Sequence, residues 1–378
     1  MIRVLLAAAV AAAAVPNPDV DATVFWPAAD LAAAADSRPE RQVLVSRPQA
    51  APFPFDEGLP SWNATAPSGT GLRVAVRVRP VPPAFPMPQF VPAIVGTPSA
   101  YALVPSVTDV AVKGEGDWSP WLNVGEWGDA PPPIPPDETL QWGGARVDVD
   151  TLELKMPATE MQWRVILHRS PAATESPALS RLAMCFTGDG ATAEAKAWRA
   201  ANPDPRSDWS GVREVPYKSQ KSDDPRMRSS LCSPTTTYMA LSYAGAAPAD
   251  LEAFSKRVYD ARFDLFGVWP RAVAAAAERG LPGYVSRIRS WGHLRAVLER
   301  GHLVGASIRF KKEDLKRPPG YTTSGHLTLV RGILPSGEIV TNDPAFDGGE
   351  GFAWLPEDFE KAWFRKGGVA YIFEGRAR

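Results

Sequence analysis

Three side chains of this 378-residue sequence have the types and the placing to build a nucleophile: Cys232, His326 and Asp343. Cys232 stands in Ser229-Ser230-Leu231-Cys232-Ser233-Pro234-Thr235-Thr236-Thr237-Tyr238-Met239. Ser233 is the expected N-cap of a helix, Pro234 suits its first position, and Gly245 is expected to end it. The Cys232 sulfur would then lie at a helix N-terminus, where the positive end of the dipole favours thiolate over thiol.

His326 opens an apolar strand, His326-Leu327-Thr328-Leu329-Val330. The turn Leu334-Pro335-Ser336-Gly337 and the strand Glu338-Ile339-Val340-Thr341-Asn342 lead from there to Asp343-Pro344. In a hairpin with an even-length loop, paired residues have numbers whose sum is odd. His326 and Asp343 satisfy that parity and are expected on one face, opposite or diagonal, provided that no bulge intervenes. Asp343 could then hold one imidazole nitrogen while the other faces the cysteine, which is the arrangement for thiol attack on a carbonyl. Asn342 competes for the orienting role, but the same parity puts it on the other face.

The remaining candidates are weaker. His168 falls in a strand, His293 on a helix and His302 beside Gly301 in a turn, and none has a second histidine or cysteine at metal-ligand spacing. The acidic, glycine-rich run from Asp343 to Glu350 lacks the spacing of a calcium loop. No metal and no cofactor is expected. Two cysteines, Cys185 and Cys232, are too few for a disulfide framework, although one bridge between them stays open and would sequester the nucleophile.

The elements that must position these residues fall into two halves. A chain of this length is expected to form two domains. With 45% hydrophobic and 22% charged residues it folds rather than staying disordered. From about Phe53 to Phe186 it reads as strands, clearest in Leu72-Arg73-Val74-Ala75-Val76-Arg77-Val78-Arg79, with further strands at Ala145 to Leu154 and Gln162 to His168. Residues 50–186 are expected to form a β-sandwich-like domain. Its tryptophans, Trp62, Trp118, Trp121, Trp127, Trp142 and Trp163, are expected mainly in the core or as loop anchors; exposed ones could stack on sugars, for instance in a cell wall.

The prolines between Pro80 and Pro136 mark loops, because proline cannot donate to a ladder. A polar stretch at 187–208 reads as a linker holding a short helix, Ala193 to Ala201, with Thr192 as its N-cap. After it, helices are expected at Pro234 to Ala244, Leu251 to Tyr259, Pro270 to Arg279 and Trp291 to Arg300. Strands are expected at Leu303 to Phe310, His326 to Ile333, Glu338 to Asn342 and Val369 to Phe373, so residues 209–378 form an α+β domain.

Net charge is −1, from 41 basic and 42 acidic residues, which gives nucleic acid no general attraction. Met1-Ile2-Arg3 and the apolar run to Val15 have the form of a signal peptide over residues 1–15. That run is too short to span a bilayer, and no transmembrane segment is expected elsewhere. A secreted or extracytoplasmic protein is the expectation.

Gln220 in Val215-Pro216-Tyr217-Lys218-Ser219-Gln220, the Cys-Ser-Pro-Thr helix start, Ser-Gly-His-Leu and Asn-Asp-Pro-Ala together resemble the bacterial papain-like cysteine peptidases related to the double-glycine leader peptidases. The likeness is to a secreted branch without the transporter domains of bacteriocin exporters. It extends to Val258-Tyr259-Asp260, Trp269-Pro270 and Trp363, and covers most of Trp209 to Phe373. It also takes in Pro60-Ser61-Trp62-Asn63-Ala64 and Trp118-Ser119-Pro120-Trp121 of the β-rich half.

The resemblance implies a papain-like domain in which Cys232 is nucleophile, His326 general base, Asp343 its orienter and Gln220 an oxyanion donor. It implies an exported cysteine peptidase acting on peptides or proteins. An amidase or transpeptidase of cell-wall peptides with the same triad, and a non-catalytic peptide- or glycan-binding module, are the alternatives.

Overall fold

The computed structural model describes residues 19–80, 117–224, 227 and 229–375. The leader-like residues 1–15 and most of the proline-rich stretch after Pro80 lie outside the described residues.

The first half is mostly strand, with one short 3-10 turn at Ala28–Asp30. It runs through β1 (Asp19–Pro27), β2 (Leu31–Ala33), β3 (Arg41–Ser46), β4 (Gln49–Thr65), β5 (Thr70–Pro80) and β6 (Trp121–Gly128). Then come the short β7 (Glu138–Thr139), β8 (Gln141–Trp142) and β9 (Ala145–Asp148), followed by the long β10 (Thr151–Arg169) and β11 (Ala178–Asp189). The order is β1-β11-β4-β10-β5-β6-β7, with β3 and β9 also paired to β10. Three strands, β1 to β3, precede the expected start at residue 50 and belong to the same sheet. They contain Trp26 and Val43, both buried, and β2, at three residues, is too short to show a period.

The sheet folds over itself. Trp26 on β1 and Trp163 on β10 are three strand positions apart, about 14 Å in a flat sheet. Their rings nevertheless meet at 5.6 Å. On β5, Leu72, Val74, Val76 and Val78 all point into one core. Arg77 and Arg79 on its other face stack on Trp118, with Arg77 also over Trp121, at 4.6–5.1 Å from the ring centres. Trp62, Trp118, Trp121, Trp127 and Trp163 are all buried, so they offer no open face to a sugar.

The linker contains α1 (Ala193–Ala201), whose N-cap Thr192 accepts from the Ala195 N–H as expected. It is packed rather than free: Trp198 lies edge-on to Phe53 of β4 at 6.0 Å.

The second half opens with β12 (Gly211–Val212) and then gathers its helices: α2 (Cys232–Tyr243), α3 (Leu251–Val258) and α4 (Trp269–Glu278). Next come β13 (Gly283–Arg287), α5 (Trp291–Glu299), β14 (Leu303–Phe310), β15 (Thr323–Ile333), β16 (Ile339–Asn342) and β17 (Phe352–Trp354). The chain closes with α6 (Pro356–Ala362) and β18 (Val369–Phe373). The antiparallel order is β13-β18-β14-β15-β16-β17, with β12 beside β15. The α+β expectation holds, and all four expected helices and four expected strands are present within two or three residues at their ends.

The halves share one hydrophobic core, in which Trp62 and Trp127 join Val273 and Phe254. Their seam is polar and specific. Asn63 donates to Gly283 O (2.6 Å) and accepts from Gly283 N (3.0 Å), and Ser61 Oγ accepts from Val285 N. Glu278 pairs with Arg257 and accepts from Ala66 N. The turn between β9 and β10 holds Val149 at φ +58°, a strained conformation for a β-branched residue. That turn delivers buried Asp150, which accepts the Trp269 N–H at the start of α4 at 2.7 Å.

Candidate active site

Helix α2 begins at Cys232 itself, two residues earlier than the cap expectation requires. Leu231 occupies the N-cap position without a side-chain bond, and Ser233 is inside the first turn. The Ser233 hydroxyl is instead buried against the Tyr371 hydroxyl at 2.8 Å. A buried tyrosine partner outcompetes capping, and the correction puts the sulfur directly on the first turn. Two of the three threonines after it, Thr236 and Thr237, give their hydroxyls to backbone carbonyls. Thr237 bonds back to Ser233 O, and Thr236 Oγ1 donates to Leu327 O at 3.0 Å, fastening the strand of His326 to the helix of Cys232.

His326 is buried on β15, and its Nε2 lies 2.8 Å from Asp343 Oδ1. With Nε2 so engaged, Nδ1 is the ring nitrogen left to interact with the Cys232 thiol. Burial alone would lower the His326 pKa; its bonds to Asp343 and Cys232 outweigh that and push it up to about 10. Burial would likewise raise the Cys232 pKa, but the His326 hydrogen bond and charge, with the N–H groups of Leu327 and Ser233, bring it below the ordinary thiol value of 9.0. Both shifts favour a thiolate–imidazolium pair.

Asp343 is fully buried. Its Oδ1 also accepts from Ala345 N (3.0 Å), and its Oδ2 accepts from the Tyr321 hydroxyl at 2.6 Å. Tyr321 was not singled out from sequence, because it lies in an irregular segment whose approach to Asp343 is purely tertiary. Asn342 faces away: its amide donates to Val215 O (3.0 Å) and accepts from Gly351 N (3.1 Å).

Gln220 lies on an extended segment laced to the Asp343 loop. Asn342 holds Val215, Tyr217 donates to the carbonyls of Asp343 and Phe346, and Gln220 N donates to Pro344 O at 3.0 Å. Its side chain is buried, and the carboxamide oxygen has no partner among the described residues. Cys185 and Cys232 are both free thiols. Cys185 is fully enclosed on β11, where burial pushes its pKa up to about 12. His168 bonds the Ala130 carbonyl, His293 lies on α5 and His302 in the turn before β14.

Two family models match parts of the chain. Residues 212–371, which hold Gln220, Cys232, His326 and Asp343, match the Peptidase C39 like family. Residues 84–187, ending in β11, match the Peptidase C39 N-terminal domain. The protein is therefore a C39-related cysteine peptidase by family, with an N-terminal domain followed by the C39-like domain. No curated protein matches the chain. Among the described residues, no helix is long and apolar enough to cross a membrane.

Proposed function

We propose that the protein hydrolyses peptide bonds of peptide or protein substrates by thiol acyl transfer through Cys232, His326 and Asp343. The observation that carries this reading is the 2.8 Å contact of Asp343 Oδ1 with His326 Nε2, together with the lowering of the Cys232 pKa by His326 at the start of α2. The Cys232 proton passes to His326, and the thiolate attacks the substrate carbonyl carbon. The resulting oxyanion is stabilised by the Cys232 N–H at the helix start and by the Gln220 carboxamide. Collapse of the tetrahedral species breaks the C–N bond, and the departing amine takes its proton from His326. Water, giving a proton to His326, then attacks the thioester and frees Cys232.

The leader-like start from Met1 to Val15 supports export as part of the same reading. N-terminal sequencing of the protein recovered outside the cytoplasm tests that point.

Activity is tested by incubating a mixed peptide library with wild type and with Cys232→Ala, then identifying products by mass spectrometry. Cleavage confined to wild type is expected. Equal product patterns from the two proteins would overturn the reading.

A further inference from the structure

We propose that Tyr321 is a positioning residue for this chemistry: it fixes the Asp343 carboxylate and tempers how strongly His326 holds its proton. The inference rests on the peptidase reading above and extends it to a residue outside the triad.

Tyr321 meets both members of the pair. Its hydroxyl donates to Asp343 Oδ2 at 2.6 Å. Its ring stands edge-on to the His326 ring, with centres 5.6 Å apart and planes at 80°. Phe310 and Phe346 pack on the tyrosine at 5.3 and 5.8 Å, so an aromatic wall lines the pair on this side. The segment that carries Tyr321 is held fast. Lys316 N and Arg317 N donate to the two carboxylate oxygens of buried Asp358 on α6, at 3.0 and 2.8 Å. Lys312 N donates to Thr322 Oγ1, and Tyr321 N to Pro319 O. A tyrosine needed only to fill space would have no use for a short bond to a buried acid.

The titratable groups facing the imidazole are Asp343, Cys232 and Tyr321. A phenol donating to a carboxylate is bound more strongly when that carboxylate is less neutralised by its other partner. The Tyr321 bond is therefore stronger when His326 is neutral than when it is imidazolium. It shifts the balance toward proton release, and a base that must also return its proton works best when it does not hold it too tightly. Removing the hydroxyl should raise the pH at which His326 loses its proton.

The test uses the full chain and iodoacetate, an anionic reagent that alkylates Cys232 fastest while the imidazolium is present. Wild type and Tyr321→Phe, which keeps the ring, are compared across pH, together with both forms carrying Asp343→Asn. In Tyr321→Phe the alkaline fall in alkylation should move up by about half to one pH unit. On any cleaved peptide, kcat should drop about tenfold with KM little changed. With Asp343→Asn in place, the tyrosine change should produce no further pH shift. Superimposable profiles in wild type and Tyr321→Phe, or an equal shift with Asp343→Asn, would overturn the proposal. Because alkylation needs no substrate, absence of peptide cleavage by wild type would count against the functional reading alone.

Discussion

Thr236 on α2 and Leu327 on β15 are joined by a hydrogen bond of 3.0 Å, from the threonine hydroxyl to the carbonyl of the residue after His326. The Leu327 N–H also helps to bring the Cys232 pKa down. The strand that carries the base is thus pinned to the helix that carries the nucleophile. Thr236→Val keeps the shape and removes the bond. It should cost about 1 kcal/mol in urea unfolding. It should also slow Cys232 alkylation below pH 9 relative to the wild-type protein. Loss of stability with unchanged thiol reactivity would show that the bond serves folding alone.

Asp343 and Asn342 are both buried, but only Asp343 touches His326. Asp343→Ala should lower turnover far more than Asn342→Ala, with KM largely kept. The asparagine variant should show its effect in thermal stability, since two buried bonds to Val215 and Gly351 are lost. Comparable turnover in the two variants would remove Asp343 from the orienting role.

Gln220 separates transition-state stabilisation from nucleophile activation. Gln220→Ala should reduce kcat by about 10²–10³. The rate and pH dependence of Cys232 alkylation should stay near wild type, because a neutral amide has little reason to shift the thiol. His326→Ala should damage both. Wild-type turnover in Gln220→Ala would exclude it as an oxyanion donor.

The seam between the domains should be sensitive to pH through Asp150. Burial pushes its carboxyl from the ordinary 3.8 up to about 7, against the opposing pull of the Trp269 N–H. Asp148 lies close by and adds to the upward push. The folded state therefore holds this proton more tightly than the unfolded chain does. Its contribution to stability is complete below pH 3.8 and is lost as pH rises through about 7. Asp150→Asn keeps an acceptor for Trp269 N–H and removes the charge. Unfolding midpoints should favour the variant at pH 8, by at most about 4 kcal/mol, and not at pH 4. A difference independent of pH would mean that Asp150 is not titrating there.

The hairpin argument for His326 and Asp343 reached the observed face by a route that differs from the structure. The loop is three residues, Pro335 to Gly337, because Leu334 and Glu338 already pair; an odd loop alone would have turned the two side chains apart. A register shift between Val330 and Gly332 restores the parity. There Arg331 turns aside to bond Arg213 O and Glu214 as β12 pairs with the strand end. Neither departure is visible in a local pattern, since the bulge depends on a segment over a hundred residues earlier. The long helices and strands were legible because periodicity and caps are local. Tyr321, the Ser233–Tyr371 bond and the three first strands were not, because each is specified by distant partners or by too few residues to show a period.

Asn63 meets Gly283 as one peptide group meets another, giving and taking a hydrogen bond with its side chain. Around that contact lie the Arg181–Glu374 pair, the Arg289 pairs to Asp19 and Asp21, and the Trp127 ring beneath Arg257. The peptidase half is consequently not portable. Moved to another protein without its strands, it would carry a bare apolar helix α4 and a row of unanswered donors. A graft that keeps the triad but exchanges the first domain would have to reproduce this seam residue by residue. Conversely, a single cut in the 202–208 connection should release nothing, and the two pieces should travel as one particle.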